Sequence, residues 1–252
     1  MTWDAAGYDD RFGFVAEYGQ GVVDLLGVRP GEQVLDLGCG TGTLTAEIAA
    51  QGADVVGLDP DPAMLERARA AHPDVTFRPG DARSFTVDAR VDAVFSNAAL
   101  HWVRTRDQDA VHGCVRAALR DGGRFVGEMG GAGNVLAVRE AVDAARADAG
   151  HAPVTDLQWC FPSPGEHAAR LERHGFTVRS VQLVDRPTAL TPGDTPADWL
   201  GMFGGPLLAD LPAAARREVV GTATDALAPL LRDPGGTWRI DYVRLRWLAV
   251  AG

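Results

Sequence analysis

Apolar residues fall along this chain in short runs separated by longer stretches of helical spacing. Residues 33–37, 54–58, 75–78, 91–96 and 123–128 are rich in Val, Leu and Phe and bounded by Gly, Pro or Asp, which predicts five short strands. Between them, 44–50, a stretch opening at Asp61-Pro62 and running to about Ala71, and 107–119 read as helices. Asp61 can accept from the free N–H groups of a helix start, and Pro62 suits the first turn. A helix over 16–26 precedes the first strand, ends at Gly27 and is closed by Arg29-Pro30-Gly31. Strand and helix alternating at such short spacing predict an α/β fold: a doubly wound, mostly parallel sheet with helices on both faces.

The pattern changes after residue 130. An Ala-rich helix is expected over 135–149, an irregular aromatic stretch over 153–164, a helix over 165–174 and a sixth strand over 178–184. A helical block broken by Pro and Gly fills 195–233, and 238–250 alternates strongly enough for a long last strand. Residues 131–165 and 190–236 therefore read as helical insertions that could form a lid over the carboxyl edge of the sheet.

Composition narrows the class. At 252 residues the chain suits one sizeable domain, with 46% hydrophobic and 23% charged residues, ordinary for a globular protein. Its formal net charge of −10 disfavours nucleic acid and anionic lipid as partners. Every basic residue is Arg, and the arginine clusters are not runs. Cys39, Cys114 and Cys160 are far apart without a CxxC, so neither a disulfide framework nor a metal site is expected. No signal peptide or 18-residue apolar run is found, which predicts a cytoplasmic protein acting on a small molecule, of unknown oligomeric state.

The candidate chemistry begins at Asp36-Leu37-Gly38-Cys39-Gly40-Thr41-Gly42, between the first strand and its helix. Glycines there let backbone N–H groups and a helix N-terminus approach a ligand. The G-x-G-x-G spacing is shorter than the G-x-G-x-x-G of dinucleotide sites and leaves less room for a pyrophosphate. Asp36, Asp59 and Asp81 stand at the carboxyl ends of three successive strands, where Asp59 could accept ribose hydroxyls and Asp81 an adenine amino group.

The runs Val34-Leu35-Asp36-Leu37-Gly38-Cys39-Gly40-Thr41-Gly42, Val56-Gly57-Leu58-Asp59 and Gly80-Asp81-Ala82 resemble the successive motifs of class I S-adenosylmethionine-dependent methyltransferases. More narrowly, the chain is similar to the trans-aconitate 2-methyltransferase-like (type 11) group. That likeness rests on Trp3-Asp4 with Tyr8-Asp9, Ser96-Asn97-Ala98-Ala99-Leu100-His101-Trp102, Arg186-Pro187-Thr188 and Asp241-Tyr242-Val243-Arg244-Leu245-Arg246. The resemblance implies one domain over 1–252, a seven-stranded sheet with one antiparallel strand near its edge, and S-adenosylmethionine as cofactor. It implies Gly38 and Gly40, with Cys39, against the methionine part, Asp59 and Pro60 at the ribose, and Met64 beside the adenine. Gly80, Asp81 and Ala82 would meet the adenine edge, Asn97 and Ala98 the sulfonium side. Tyr8 would belong to a segment, 1–30, that covers the cofactor.

His101, just past the fourth strand, is the candidate general base; its ordinary pKa suits neutral pH. The alternative is a histidine that only shapes the pocket beside Trp102. A carboxylate nucleophile would need no base. Trp102, Trp159, Phe161, Trp199 and Phe203 are the expected substrate lining, which favours a partly apolar metabolite methylated on oxygen or carbon. His72, His112, His151, His167 and His174 read as packing or surface residues. Asn97-Ala98-Ala99-Leu100 lacks the Pro-Pro-aromatic form used on nucleobase or glutamine amines. Two other functions compete: a protein that holds the cofactor to assist cyclisation without methyl transfer, and an NAD-linked oxidoreductase. The second would want the longer glycine spacing and a Tyr–Lys relay, which a chain without lysine cannot supply.

Overall fold

The computed structural model describes residues 21–252; the assignments made for Trp3, Tyr8 and the first part of the 16–26 helix lie outside the described residues. Residues 21–26 are helical. There follow β1 (Gln33–Leu37), α1 (Thr43–Ala50), β2 (Asp54–Asp59), α2 (Pro62–Ala71), β3 (Thr76–Pro79), β4 (Val91–Asn97), α3 (Gln108–Ala118) and β5 (Leu119–Gly130). The second half contains α4 (Leu136–Asp148), α5 (Pro164–Arg173), β6 (Phe176–Ala189), α6 (Pro196–Phe203), α7 (Gly205–Leu208), α8 (Ala213–Leu231) and β7 (Arg239–Ala251). Helix starts follow the side-chain chemistry: Asp61 accepts from the Ala63 N–H at 2.8 Å, and Ser163 with Glu166 forms a reciprocal capping box before α5.

The strands form one seven-stranded sheet in the order β3-β2-β1-β4-β5-β7-β6. All neighbours from β3 to β5 pair parallel, whereas β7 runs antiparallel to both β5 and β6. The expected sheet, with its one antiparallel strand next to the edge, is present. Three strands are longer than their apolar runs: β5 extends back to Leu119, β6 spans Phe176–Ala189 and β7 reaches Ala251. For β6 and β7 the reason is their ribbon, paired from Phe176–Ala251 to Ala189–Arg239, whereas β5 begins at Leu119 through its pairing with Val91 of β4. Cross-strand hydrogen bonds carry polar residues such as Arg186 and Thr188 that periodicity alone leaves as loop.

Two apolar layers cover the sheet. Val111 and Val115 of α3 and Leu171 of α5 pack with Leu35, Val94, Phe125 and Trp247 on one face. Val22 and Leu26 pack with Ile48, Phe95 and Val126 in a second cluster. A third cluster is built from the two insertions: Val138 and Val142 of α4 meet Trp199 of α6, Leu207 of α7, Val219 and Leu227 of α8, and Ile240 and Tyr242 of β7. Arg146, fully buried in α4, ties the insertions together. It donates to the Leu207 carbonyl at 2.8 Å, to both Asp210 oxygens at 2.9 and 2.7 Å, and to the Ala152 carbonyl at 3.0 Å. Among the described residues no helix is long and apolar enough to cross a membrane.

One close approach inside the sheet depends on Gly127 of β5. A Cβ on Gly127 of β5 would lie 2.5 Å from the Trp247 ring and 2.6 Å from the Ser96 carbonyl oxygen. Overpacking of this kind costs about 1–3 kcal/mol. Gly127→Ala is expected to lower unfolding stability by about 2 kcal/mol in urea titration; an unchanged midpoint would show that the sheet relaxes freely around Trp247.

Candidate active site

Strand β1 delivers the chain to a loop that only glycine can follow. The N–H groups of Gly38 and Cys39 both donate to the Leu58 carbonyl, at 2.7 and 3.0 Å, which folds the loop against β2. Gly38 has φ +79°, and a Cβ there would fall 2.3 Å from that of Ala99. Gly40 has φ +55°, and a Cβ on it would meet nothing within 4 Å, because Gly40 borders an open cavity. Gly42 then starts α1 without a side-chain cap, so the helix's first N–H groups stand beside Thr43 and Leu44 in the cavity wall.

Two carboxylates face the same cavity. Asp59, at the end of β2, accepts the Gly40 N–H on Oδ2 and the Asp61 N–H on Oδ1, each at 2.9 Å. Burial pushes its carboxyl up, opposed by these two backbone donors. Asp36, at 2% exposure, accepts the Thr45 hydroxyl at 2.6 Å. Burial and the nearby Asp59 raise it to about 7 against the opposing effect of Thr45. For both acids burial penalises the charged form, a cost that a cationic ligand beside them would offset.

The end of β4 forms the cavity floor. The Ser96 hydroxyl donates to the Leu37 carbonyl at 2.7 Å, locking β4 to β1. Ala98 takes a left-handed conformation, φ 54°, while its N–H donates to the Glu128 carbonyl at 2.8 Å. Asn97, Ala98 and Ala99 border the cavity, with Met64 of α2 nearby. The chain then turns through a short 3-10 segment, Leu100–Trp102, that carries His101 inward.

His101 is buried, and its Nδ1 accepts the Gly130 N–H at 3.3 Å. Burial first, and then the Arg244 cation, push the imidazole down to about 3. At neutral pH the ring is uncharged and its proton sits on Nε2. Burial disfavours the imidazolium and Nδ1 is engaged by the Gly130 N–H, an arrangement in which the ring offers its Nε2–H as a donor.

The far half of the cavity is aromatic: Trp102, Trp159, Phe161, Trp199 and Phe203 border it together. Trp159 stacks on Phe161 at 5.5 Å, and Trp102 lies 5.4 Å from the His101 ring. Strand β7 adds Tyr242 and Arg244, which share a sheet face at alternate positions. The Arg244 guanidinium lies over the Tyr242 ring at 4.3 Å. Tyr242 already accepts the Trp199 indole N–H on its oxygen at 2.6 Å, and burial keeps its phenol protonated, so it too can donate. Asn134 accepts the Val243 N–H on Oδ1 at 2.9 Å, which leaves its amide N–H groups. This end of the cavity thus presents donors from Arg244, His101, Tyr242 and Asn134, while the two carboxylates stand at the glycine-loop end.

Of the residues singled out in the sequence, Gly38, Cys39, Gly40, Asp59, Met64, Asn97, Ala98, His101 and the five aromatics come together around this cavity. Pro60, Gly80, Asp81 and Ala82 are not part of its lining. Asp81 instead accepts the N–H and Nε of Arg83, both at 2.9 Å, and this pairing holds its carboxyl below the usual range. Asn134, Val135, Tyr242 and Arg244 escaped notice as site residues. The available signal was the alternation of Tyr242, Arg244 and Arg246 along one face of the last strand. His112 and His167 are buried under the sheet and His174 pairs with Asp109 at 2.9 Å. Among the described residues no group of three or more His, Cys, Asp or Glu could hold a metal ion.

Comparison with known proteins gives four findings. A family described as "Methyltransferase domain" matches residues 34–123. An uncharacterized methyltransferase of Schizosaccharomyces pombe is 32% identical over 98% of this chain and 97% of its own. A trans-aconitate 2-methyltransferase of Methylobacterium radiotolerans is 48% identical, over only 27% of either chain. Among solved structures, the YcgJ protein of Bacillus subtilis superposes with a TM-score of 0.65 at 18% identity, covering 93% of this chain and 98% of that one; this likeness concerns the fold.

The raised pKa of Asp36 has a definite sign. Folding favours its protonated form, so its contribution to stability is present at acidic pH and is lost as pH rises through about 7. In paired unfolding titrations, the stability of the native protein relative to Asp36→Asn should fall as pH rises from the ordinary carboxylate value of 3.8 to about 7 and level off above it, since Asn cannot titrate. A difference that stays constant with pH would mean that Asp36 titrates as an ordinary carboxylate.

Proposed function

Because this chain belongs to the methyltransferase family, we propose that it transfers the methyl group of S-adenosylmethionine to a carboxylate oxygen of a small, partly apolar metabolite. The observation that carries the proposal is the division of one cavity into an acidic, glycine-lined end and an aromatic end whose polar groups donate.

The glycine-loop end fits the cofactor. The backbone at Gly40 borders open cavity that a side chain would fill, and Asp59 with the ionised form of Asp36 would supply negative charge to a cationic ligand. Gly38 and Gly40 would meet the methionine part, Asp59 the ribose, Met64 the adenine, and Asn97 with Ala98 the sulfonium side. Asp81 would reach the adenine amino group only by giving up part of its pairing with Arg83. When bound, S-adenosylmethionine supplies an electrophilic methyl carbon on a sulfonium leaving group.

At the other end, Arg244 offers a planar guanidinium against carboxylate oxygens. His101 Nε2–H, the Tyr242 hydroxyl and the Asn134 amide add neutral donors. The aromatic wall buries the apolar remainder and excludes water. An ionised carboxylate forms the new O–C bond with its own lone pair as the C–S bond breaks, and the electrons of that bond stay on sulfur. No proton moves, so a site without a base is sufficient. Rate then comes from alignment and from water exclusion. The relative named for trans-aconitate, itself a carboxylate, agrees with this substrate class. Family membership also favours methyl transfer over the redox and cyclisation readings.

Incubation with labelled S-adenosylmethionine and a set of phenylalkanoates, read by mass spectrometry, should yield methyl esters. Labelled product from amines but none from carboxylates would sink the proposal. Arg244→Met should raise KM for the carboxylate at least a hundredfold while the cofactor's dissociation constant stays within threefold, as about 3 kcal/mol is lost when a buried charged partner goes. An unchanged KM would remove Arg244 from substrate binding. His101→Gln keeps an N–H donor and is expected to retain kcat within about tenfold, whereas loss of a true base would cost about 10²–10⁴-fold.

A further inference from the structure

We propose that Val135 sets the upper size limit of the substrate that the cavity accepts, an inference that rests on the carboxylate reading above. Val135 stands at the start of α4 with φ 49° and ψ 37°, the left-handed region, and is 1% exposed. For a β-branched residue this conformation is a genuine outlier. Glycine would adopt it without strain, and Gly133, two residues earlier, does so at φ +85°.

The surrounding contacts hold the strained backbone in place. The Val135 N–H donates to the Asp241 carbonyl at 3.0 Å, and the Ala137 N–H donates to the Asp241 carboxylate at 2.8 Å. One residue earlier, Asn134 accepts from the Val243 N–H. These bonds clamp the 134–137 segment onto the stretch of β7 that carries Tyr242 and Arg244. They would be equally available to a glycine. What valine adds is its branched side chain, and Val135 borders the cavity beside the donor end. Val138, on the same helix and equally buried, has ordinary helical backbone and does not border the cavity. Strain retained at a cavity wall, where a less strained residue exists, points to use of the side chain itself. Ala98 is the other described residue of this kind, and it too borders the cavity, but it carries only a methyl group.

The test is a binding series. Phenylalkanoates increasing one carbon at a time are titrated into the protein saturated with S-adenosylhomocysteine, with quenching of the cavity tryptophans as the readout. The native protein should show a length beyond which each added methylene weakens binding about tenfold. Val135→Gly should move that limit up by at least one carbon, and Val135→Ala should move it less in the same direction. Val138→Ala should lower the melting temperature and leave the limit in place, which separates a gauge from a core contact. S-adenosylhomocysteine affinity should stay within threefold in all three variants. Identical limits in native, Gly and Ala proteins would overturn the inference, as would an equal shift in Val138→Ala. If no phenylalkanoate quenches any of the proteins, the carboxylate reading itself fails and takes this inference with it.

Discussion

The opposition of buried charges across one cavity is the constraint on which the account depends. Asp36 and Asp59 are held at the carboxyl ends of β1 and β2, where desolvation raises both. Arg244 is 8% exposed on β7, among aromatic rings. Burial penalises the charged form of both acids, and a ligand of opposite sign would offset that cost at either end of the cavity. A cationic methyl donor and an anionic acceptor brought into such a cavity meet head to tail, which is the alignment that displacement at a methyl carbon needs.

The scaffold explains why those groups can be held so firmly. Asp59 grips the glycine loop through the Gly40 N–H, and Ser96 fastens β4 to the end of β1. At the opposite side, the insertions build their own apolar cluster, and Arg146 bolts its halves together. That cluster shares Trp159, Trp199, Phe203 and Tyr242 with the cavity lining. The aromatic wall of the cavity is therefore packed core on its outer side, which gives a shaped surface and leaves little freedom to adapt. We propose that 131–165 and 190–236 act as the substrate lid in this sense, as a fixed wall.

What the sequence made legible follows from how local the signal is. The glycine loop, Asp59 and the Asn97–Trp102 region each announce themselves within a few residues, since a strand end, a turn and a helix start share one short window. The five aromatics were found by residue type alone. Tyr242 and Arg244 were different: their role depends on β7 entering between β5 and β6, and on the register that turns alternate residues toward the insertions. No local pattern reports such a register. Val135 was hidden for a related reason, because its chemistry is a backbone conformation that valine normally avoids. His101 was found in position but its surroundings were not, as burial, the Gly130 N–H and Arg244 all arrive from distant parts of the chain. Asp81 shows another limit: the reading of its strand end did not include the pairing of its carboxylate with Arg83.

The most direct test of the opposed-charge account is a crystal structure of the protein with S-adenosylhomocysteine and the tightest-binding phenylalkanoate. The account predicts ribose hydroxyls on Asp59 and a carboxylate within hydrogen-bond reach of Arg244 and His101 Nε2, with one oxygen directed at the cofactor sulfur. A carboxylate seated elsewhere, with the aromatic end of the ligand against Arg244, would contradict it.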